Sequence, residues 1–201
     1  MTDRLADPID GVEPPRFTQD QLGWRPWLEP LAEEELDEDR IDAMVQASRA
    51  KNPYFRLLAR DPGILRERTK TDFDIFYNTK AGLPRADREL AATAASRLNG
   101  CVYCASVHSA FASHHSKRVE DVQRLLDEGV EASLDPRWDA IVAAAAALTR
   151  TPAEFGPEHI ARLREAGLDD LELLDMIQSA AFFNWANRLM LALGEPTVLD
   201  S

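Results

Sequence analysis

A chain of 201 residues with 45% hydrophobic and 29% charged residues is long enough to bury one sizeable core and has the balance of an ordinary globular protein. Its 23 Lys and Arg against 35 Asp and Glu leave a net charge of −12, which repels nucleic-acid phosphates and anionic membranes and argues against both as partners. There is no apolar run of about 18 residues and no signal-peptide pattern at Met1–Pro8, so the sequence reads as cytoplasmic, where a lone Cys-x-x-Cys points to redox or metal chemistry more than to a structural staple.

Residues 1–35 carry Pro8, Pro14, Pro15, Pro26 and Pro30 with Trp24 and Trp27 among them. They read as an irregular arm that docks through its tryptophans on this subunit or a neighbour, with a disordered tail as the alternative. Residues 36–201 read as one all-helical domain. Leu36, Ile41, Met44 and Val45 predict a first helix ending before Asn52-Pro53. Asp61-Pro62 is a cap with proline at the first helical position, opening a helix or a broken pair through Ile64, Leu65, Phe73, Phe76 and Tyr77, stopped by Gly82. A helix from about Pro84 to Leu98 carries Leu90, Ala91, Ala94, Ala95 and Leu98 as one stripe, and Asn99-Gly100 breaks it.

A helix from about Cys101 to His114 follows, then one capped by Ser116 and running to Asp127 before Gly129. Asp135-Pro136 starts the alanine-rich stretch Trp138–Thr149, whose small side chains need a closely packed neighbour. Pro157–Ala166 is stopped by Gly167, and Asp169 to about Leu193 is ended by Gly194 and Pro196. Period-two alternation is absent, so no strand is expected. Ala81-Gly82-Leu83 recurs as Ala166-Gly167-Leu168, each followed sixteen residues after its leucine by an asparagine (Asn99, Asn184), a weak sign of internal helical duplication.

The chemistry concentrates between Glu89 and His108. Cys101 and Cys104 are the only cysteines. With Asn99 or Gly100 as N-cap, Cys101 falls in the first helical turn, where free N–H groups and the helix dipole favour a thiolate. Cys104 shares its face at i+3, with Cα atoms roughly 5 Å apart, within reach of a disulfide. His108, four residues beyond Cys104, is placed to hydrogen-bond that sulfur or take its proton. Glu89 lies on the preceding helix and reaches this group only if the two helices pack to bring it there, where it would orient His108 or relay a proton. The alternatives are two inert core cysteines, or zinc held by Cys101, Cys104, His108 and Glu89 with His114 and His115 nearby.

Glu89, twelve residues later Cys101-Val102-Tyr103-Cys104, then His108, in an all-α chain, resembles the alkylhydroperoxidase AhpD-like family of the carboxymuconolactone decarboxylase-like superfamily, specifically its peroxidase-related members. The segment Phe182-Phe183-Asn184-Trp185-Ala186-Asn187-Arg188-Leu189 with Gly194 adds a weaker likeness. The resemblance covers roughly residues 50–195. It implies an AhpD-like helical bundle that reduces hydroperoxides without a cofactor. By the resemblance Cys104 is the peroxidatic cysteine, Cys101 resolves its sulfenic acid, His108 shuttles protons and Glu89 supplies the carboxylate of the relay. It further implies recycling by a lipoyl or thioredoxin-like dithiol protein and assembly as a dimer, trimer or hexamer.

Tyr103 departs from the family pattern, which has histidine there; a phenol donates a hydrogen bond but is a poor base near neutral pH. Decarboxylase members lack the cysteine pair, which argues against decarboxylation. The dipole favours Cys101 as nucleophile and the histidine favours Cys104; the direct proton acceptor is given more weight, because the dipole contributes about 1 kcal/mol or less when exposed. Arg97 and Arg188 are candidates to balance Glu89, and Trp138, Phe182, Phe183 and Trp185 to wall the thiol pocket, though core packing is the commoner role for such aromatics. The rival functions are a non-enzymatic dithiol sensor, a general disulfide oxidoreductase and a metal-binding helical protein.

Overall fold

The computed structural model describes residues 16–78 and 80–199. Among these the helices run in order as α1 (Glu38–Ala43), α2 (Pro53–Leu58), α3 (Pro62–Tyr77), α4 (Arg85–Leu98), α5 (Val102–Ser116), α6 (Val119–Glu128), α7 (Pro136–Thr149), α8 (Pro157–Glu165) and α9 (Asp170–Leu193). The fold is all-α but for one antiparallel ribbon of β1 (Gly23–Pro26) and β2 (Gly194–Thr197), with Gly23 opposite Thr197 and Pro26 opposite Gly194. None of the described helices is long and apolar enough to cross a membrane.

Capping side chains set most helix starts. Asp61 accepts from the Ile64 amide with Pro62 at the first position, and Asp135 accepts from the amides of Arg137 and Trp138. Asp169 and Glu172 form a reciprocal capping box on α9. The single first helix expected to end before Asn52-Pro53 is broken instead. Met44 and Ala43 are sealed in a small cluster with Leu31, Ala59 and Leu65, and Val45 turns the chain at φ 64° before a 3₁₀ turn at 47–51. Ser116 does not cap α6 as expected. It is the last residue of α5, Lys117 ends that helix in the left-handed conformation, and the Ser116 hydroxyl accepts from the Arg118 amide.

Helix α4 is the centre of the body: every residue from Asp87 to Ser96 is buried, and α5, α7 and α9 pack around it. Alanines 140 and 144–147 of α7 let that helix approach closely, because no long side chain separates the backbones. The charges carried inside by α4 are matched. Asp87 accepts from Trp138 Nε1 at 2.9 Å and from Arg137 Nε at 3.0 Å. Arg88 donates to the carbonyls of Leu83, Ile75, Asn78 and Ala81 at 2.5–3.0 Å, and pairs with Asp175 at 2.9 Å. The glycines of the recurring Ala-Gly-Leu turns share a positive φ, 79° at Gly82 and 88° at Gly167, and the asparagines that follow them meet, Asn99 Nδ2 donating to Asn184 Oδ1 at 3.0 Å.

The ribbon was invisible in the sequence because each strand has four residues and contains a proline, Pro26 or Pro196, so no alternation develops. Trp24 is buried and meets Tyr54 edge to face at 5.4 Å, whereas Trp27 is exposed. A Cβ at Gly194 would come within 2.3 Å of the Trp24 ring, which explains a glycine there. Pro8, Pro14 and Pro15 of the arm lie outside the described residues.

Burial pushes the Tyr54 phenol up to about 12, with the Arg68 guanidinium opposing it. The unfolded chain ionises this tyrosine near its ordinary value of about 10 while the native state does not, so the unfolded state binds fewer protons and stability falls as pH rises through the 10–12 window. Tyr54→Phe should flatten urea-denaturation stability over that window by about 2–3 kcal/mol relative to wild type. Parallel pH profiles would contradict this.

Candidate active site

The joint between α4 and α5 builds the site. The Cys101 amide donates to the Ser96 carbonyl at 2.9 Å and the Gly100 amide to Arg97 at 3.4 Å, closing α4 in a Schellman turn with Gly100 at φ 75°. Cys101 therefore sits at the N-cap of α5 rather than inside its first turn, and Cys104 is the third helical residue. The turn folds α5 back along α4 and brings His108 over Glu89, with Nδ1 and Oε2 2.6 Å apart. Glu89 is 1% exposed and accepts from Arg85 Nε at 2.9 Å through its other oxygen. Arg85, four residues earlier on the same helix, is thus the cation that balances Glu89. Arg97 and Arg188 do not: Arg97 donates to the Leu126 carbonyl and covers Phe17, and Arg188 bonds Asn184.

The imidazole is fixed by aromatic neighbours, its centroid 4.0 Å from Phe183 and 5.2 Å from Phe76. With Nδ1 engaged by Glu89, Nε2 is the nitrogen left for chemistry. The expectation that His108 bonds the Cys104 sulfur is corrected. Its hydrogen bond is to Glu89, while the thiols interact with each other and with Asn187 of α9.

The two cysteines are reduced, and Cys101 is 1% and Cys104 6% exposed. Hydrogen bonding from the Cys104 thiol draws Cys101 below the ordinary thiol range against the opposing effect of burial, helped by the Cys104 amide and Asn187. The contact to that amide falls short of a full capping hydrogen bond. The same thiol–thiol bond, burial and the Cys101 charge hold Cys104 well above the ordinary range. The contact between the thiols thus favours a thiolate at Cys101 over one at Cys104.

Cys104, Glu89, His108 and Tyr103 line one cavity of about 190 Å³, walled by Phe76, Tyr77, Phe111 and Phe183. Cys101 lies behind Cys104 and does not reach it. Of the aromatics considered from sequence, Phe183 borders the cavity, Phe182 and Trp185 border a shallow surface groove with Ile64, and Trp138 is core. Burial raises the Tyr103 phenol, with Asn52 opposing, so the residue that replaces the family histidine stays neutral. Asn187 was missed. It is fully buried, donates to Ser96 Oγ and accepts from Asn99 Nδ2, each at 3.0 Å, and touches both thiols; a polar residue on the inward face of α9 was its only sequence signal. Among the described residues no three His, Cys, Asp or Glu side chains converge as a metal site, so the zinc alternative finds no ligand cluster.

Residues 62–147, which include Glu89, both cysteines and His108, match the model of the carboxymuconolactone decarboxylase family. That stretch, running from α3 into α7, is where the chain is similar to this family. Comparison with curated proteins gives no significant match. Among solved structures, the fold is similar to an alkylhydroperoxidase AhpD core, an uncharacterized peroxidase-related protein from Ralstonia eutropha JMP134, with a TM-score of 0.72 and 23% identity over 84% of this chain and 90% of that one. An uncharacterized peroxidase-related protein from Silicibacter sp. TM1040 matches with a TM-score of 0.65 and 25% identity over 93% and 95% of the two chains. The debrominase Bmp8, solved as a cysteine-to-alanine variant with 2,3,4-tribromopyrrole, matches with a TM-score of 0.65 and 18% identity over 82% and 87%. The fold is AhpD-like.

Proposed function

We propose that this domain is a thiol-dependent hydroperoxide reductase working through Cys104 and Cys101 with His108 and Glu89. The observation that carries the reading is a cavity-facing thiol, with a second thiol buried behind it, beside an imidazole backed by a buried carboxylate.

The Cys104 proton passes to the neighbouring Cys101 thiolate. The Cys104 thiolate attacks the terminal peroxide oxygen, the O–O bond breaks, and the departing alkoxide takes a proton from His108 Nε2 to leave as alcohol. Cys104 is then a sulfenic acid. The Cys101 sulfur attacks it, an S–S bond forms, and the hydroxyl leaves with the Cys101 proton as water. A dithiol reductant, lipoyl or thioredoxin-like, takes up the disulfide's oxidising equivalents, and solvent returns the His108 proton. The protein acts in the cytoplasm as a homo-oligomer, without nucleic acid or membrane as a partner.

Steady consumption of cumene hydroperoxide with a dihydrolipoyl reductant tests this reading; one stoichiometric oxidation without recycling by any dithiol would make the protein a sensor instead. Glu89→Gln is expected to lower kcat by roughly 10²-fold, the usual size of a proton-transfer contribution, and to shift its pH profile. An unchanged profile would remove Glu89 from the relay. The four aromatic walls favour one second reading, a halogenated aromatic as the electrophile, as the Bmp8 name and ligand would suggest. Halide release in the same assay distinguishes it.

A further inference from the structure

The cavity also holds a group of charges outside the Cys, His and Glu set, of which Arg68 also favours the Cys104 thiolate. Arg68, its side chain 8% exposed, and Arg49 both turn toward one carboxylate, Asp72, at 3.4 and 3.5 Å. Each is a single long contact, so two guanidinium groups share one negative charge. Among the described residues Arg68 Nε, Arg49 Nη1 and the Tyr54 hydroxyl are buried with no hydrogen-bond partner. Leaving such donors unpaired costs about 1–3 kcal/mol each, more where they are charged.

Aromatic rings fix both guanidiniums. Arg49 lies 4.6 Å from the Phe55 centroid and 4.8 Å from Phe73, and Arg68 lies 5.6 Å from Phe55 and 5.4 Å from Phe182. The other carboxylate of the cavity, Glu89, is already engaged by Arg85 and His108 and does not neutralise this pair. Burial, together with the neighbouring Arg68 charge, draws the Arg49 guanidinium below its ordinary range, a penalty that a bound anion would relieve.

We propose that Arg49 and Arg68, with the Tyr54 hydroxyl, form a carboxylate-binding subsite. Resting on the peroxidase reading above, the hydroperoxide reduced at Cys104 then carries a carboxylate on a small apolar body. A planar guanidinium offers paired N–H donors that match a carboxylate's two oxygens, and the aromatic walls between the ends suit the hydrocarbon between peroxide and acid. The carboxylate takes no part in bond making; it fixes which end of the substrate reaches the thiol.

Isothermal titration of the reduced wild-type protein with benzoate and with benzamide tests the subsite without peroxide chemistry. Benzoate is expected to bind at least about ten-fold tighter and to slow iodoacetamide labelling of Cys104, with both differences lost in Arg49→Gln and Arg68→Gln. Should Arg68→Gln fail to fold, the wild-type comparison and Arg49→Gln decide. Equal binding of the two probes, or none, overturns the subsite. In the kinetic arm, the preference for carboxylated over plain cumene hydroperoxide is expected to fall at least about ten-fold in Arg49→Gln, through KM. Absence of turnover with either hydroperoxide would overturn the peroxidase reading, and with it the substrate class, while benzoate binding still judges the subsite.

Discussion

Cys104→Ser is expected to lose hydroperoxide turnover by on the order of 10³-fold or more, whereas Cys101→Ser should complete one turnover and stop with a sulfenic acid on Cys104. The asymmetry follows from placement. Cys104 borders the cavity where His108 and the aromatic walls converge, while Cys101 is sealed behind it at the start of α5. Charge placement alone would suggest the opposite order, because the more acidic of the pair is Cys101. Access outweighs acidity here: a thiolate that meets no substrate reacts with none, and Cys101 beside it serves as the base that frees Cys104. Dimedone trapping with mass spectrometry of both variants after peroxide challenge checks the assignment. A sulfenate found on Cys101 in the Cys104→Ser protein, with none on Cys104 in the other variant, would reverse it.

The second large effect is structural. Arg88→Met should destabilise the domain by about 3–5 kcal/mol and lower Tm by roughly 10 °C, because it removes a buried cation and deprives several acceptors at once. The guanidinium gathers carbonyls from the end of α3 and from the turn before α4, and it faces Asp175 on α9. It therefore ties three helices at the base of the helix that carries Glu89. Urea denaturation monitored by circular dichroism measures the loss. A change under about 1 kcal/mol would mean that water replaces the guanidinium at these carbonyls without strain.

The local punctuation of this chain was legible. Asp61-Pro62, Asp135-Pro136 and Asp169 with Glu172 each cap a helix where the sequence places one, because a cap needs only its own few residues. The conjunction of Glu89 with His108 was legible as a condition on helix packing, and the hairpin meets it. What escaped depends on contacts distant in sequence. The break at Val45 follows from sealing Met44 against Leu65, and the ribbon pairs residues separated by most of the chain. Arg85 was within reach of i, i+4 reasoning but was passed over for Arg97 and Arg188. Arg49 and Arg68 come from different elements and meet only at Asp72, which no local spacing announces.

The Schellman turn between α4 and α5 has a further meaning. Only Asn99, Gly100 and Cys101 separate the last residue of one helix from the first of the other, so the imidazole's alignment with its carboxylate is an angular phase set by chain length. Each residue advances a helix by about 100°. The number of residues in the joint is therefore fixed as firmly as their chemistry: a single insertion would rotate α5 by more than a quarter turn and swing sulfur and ring away from Glu89 together.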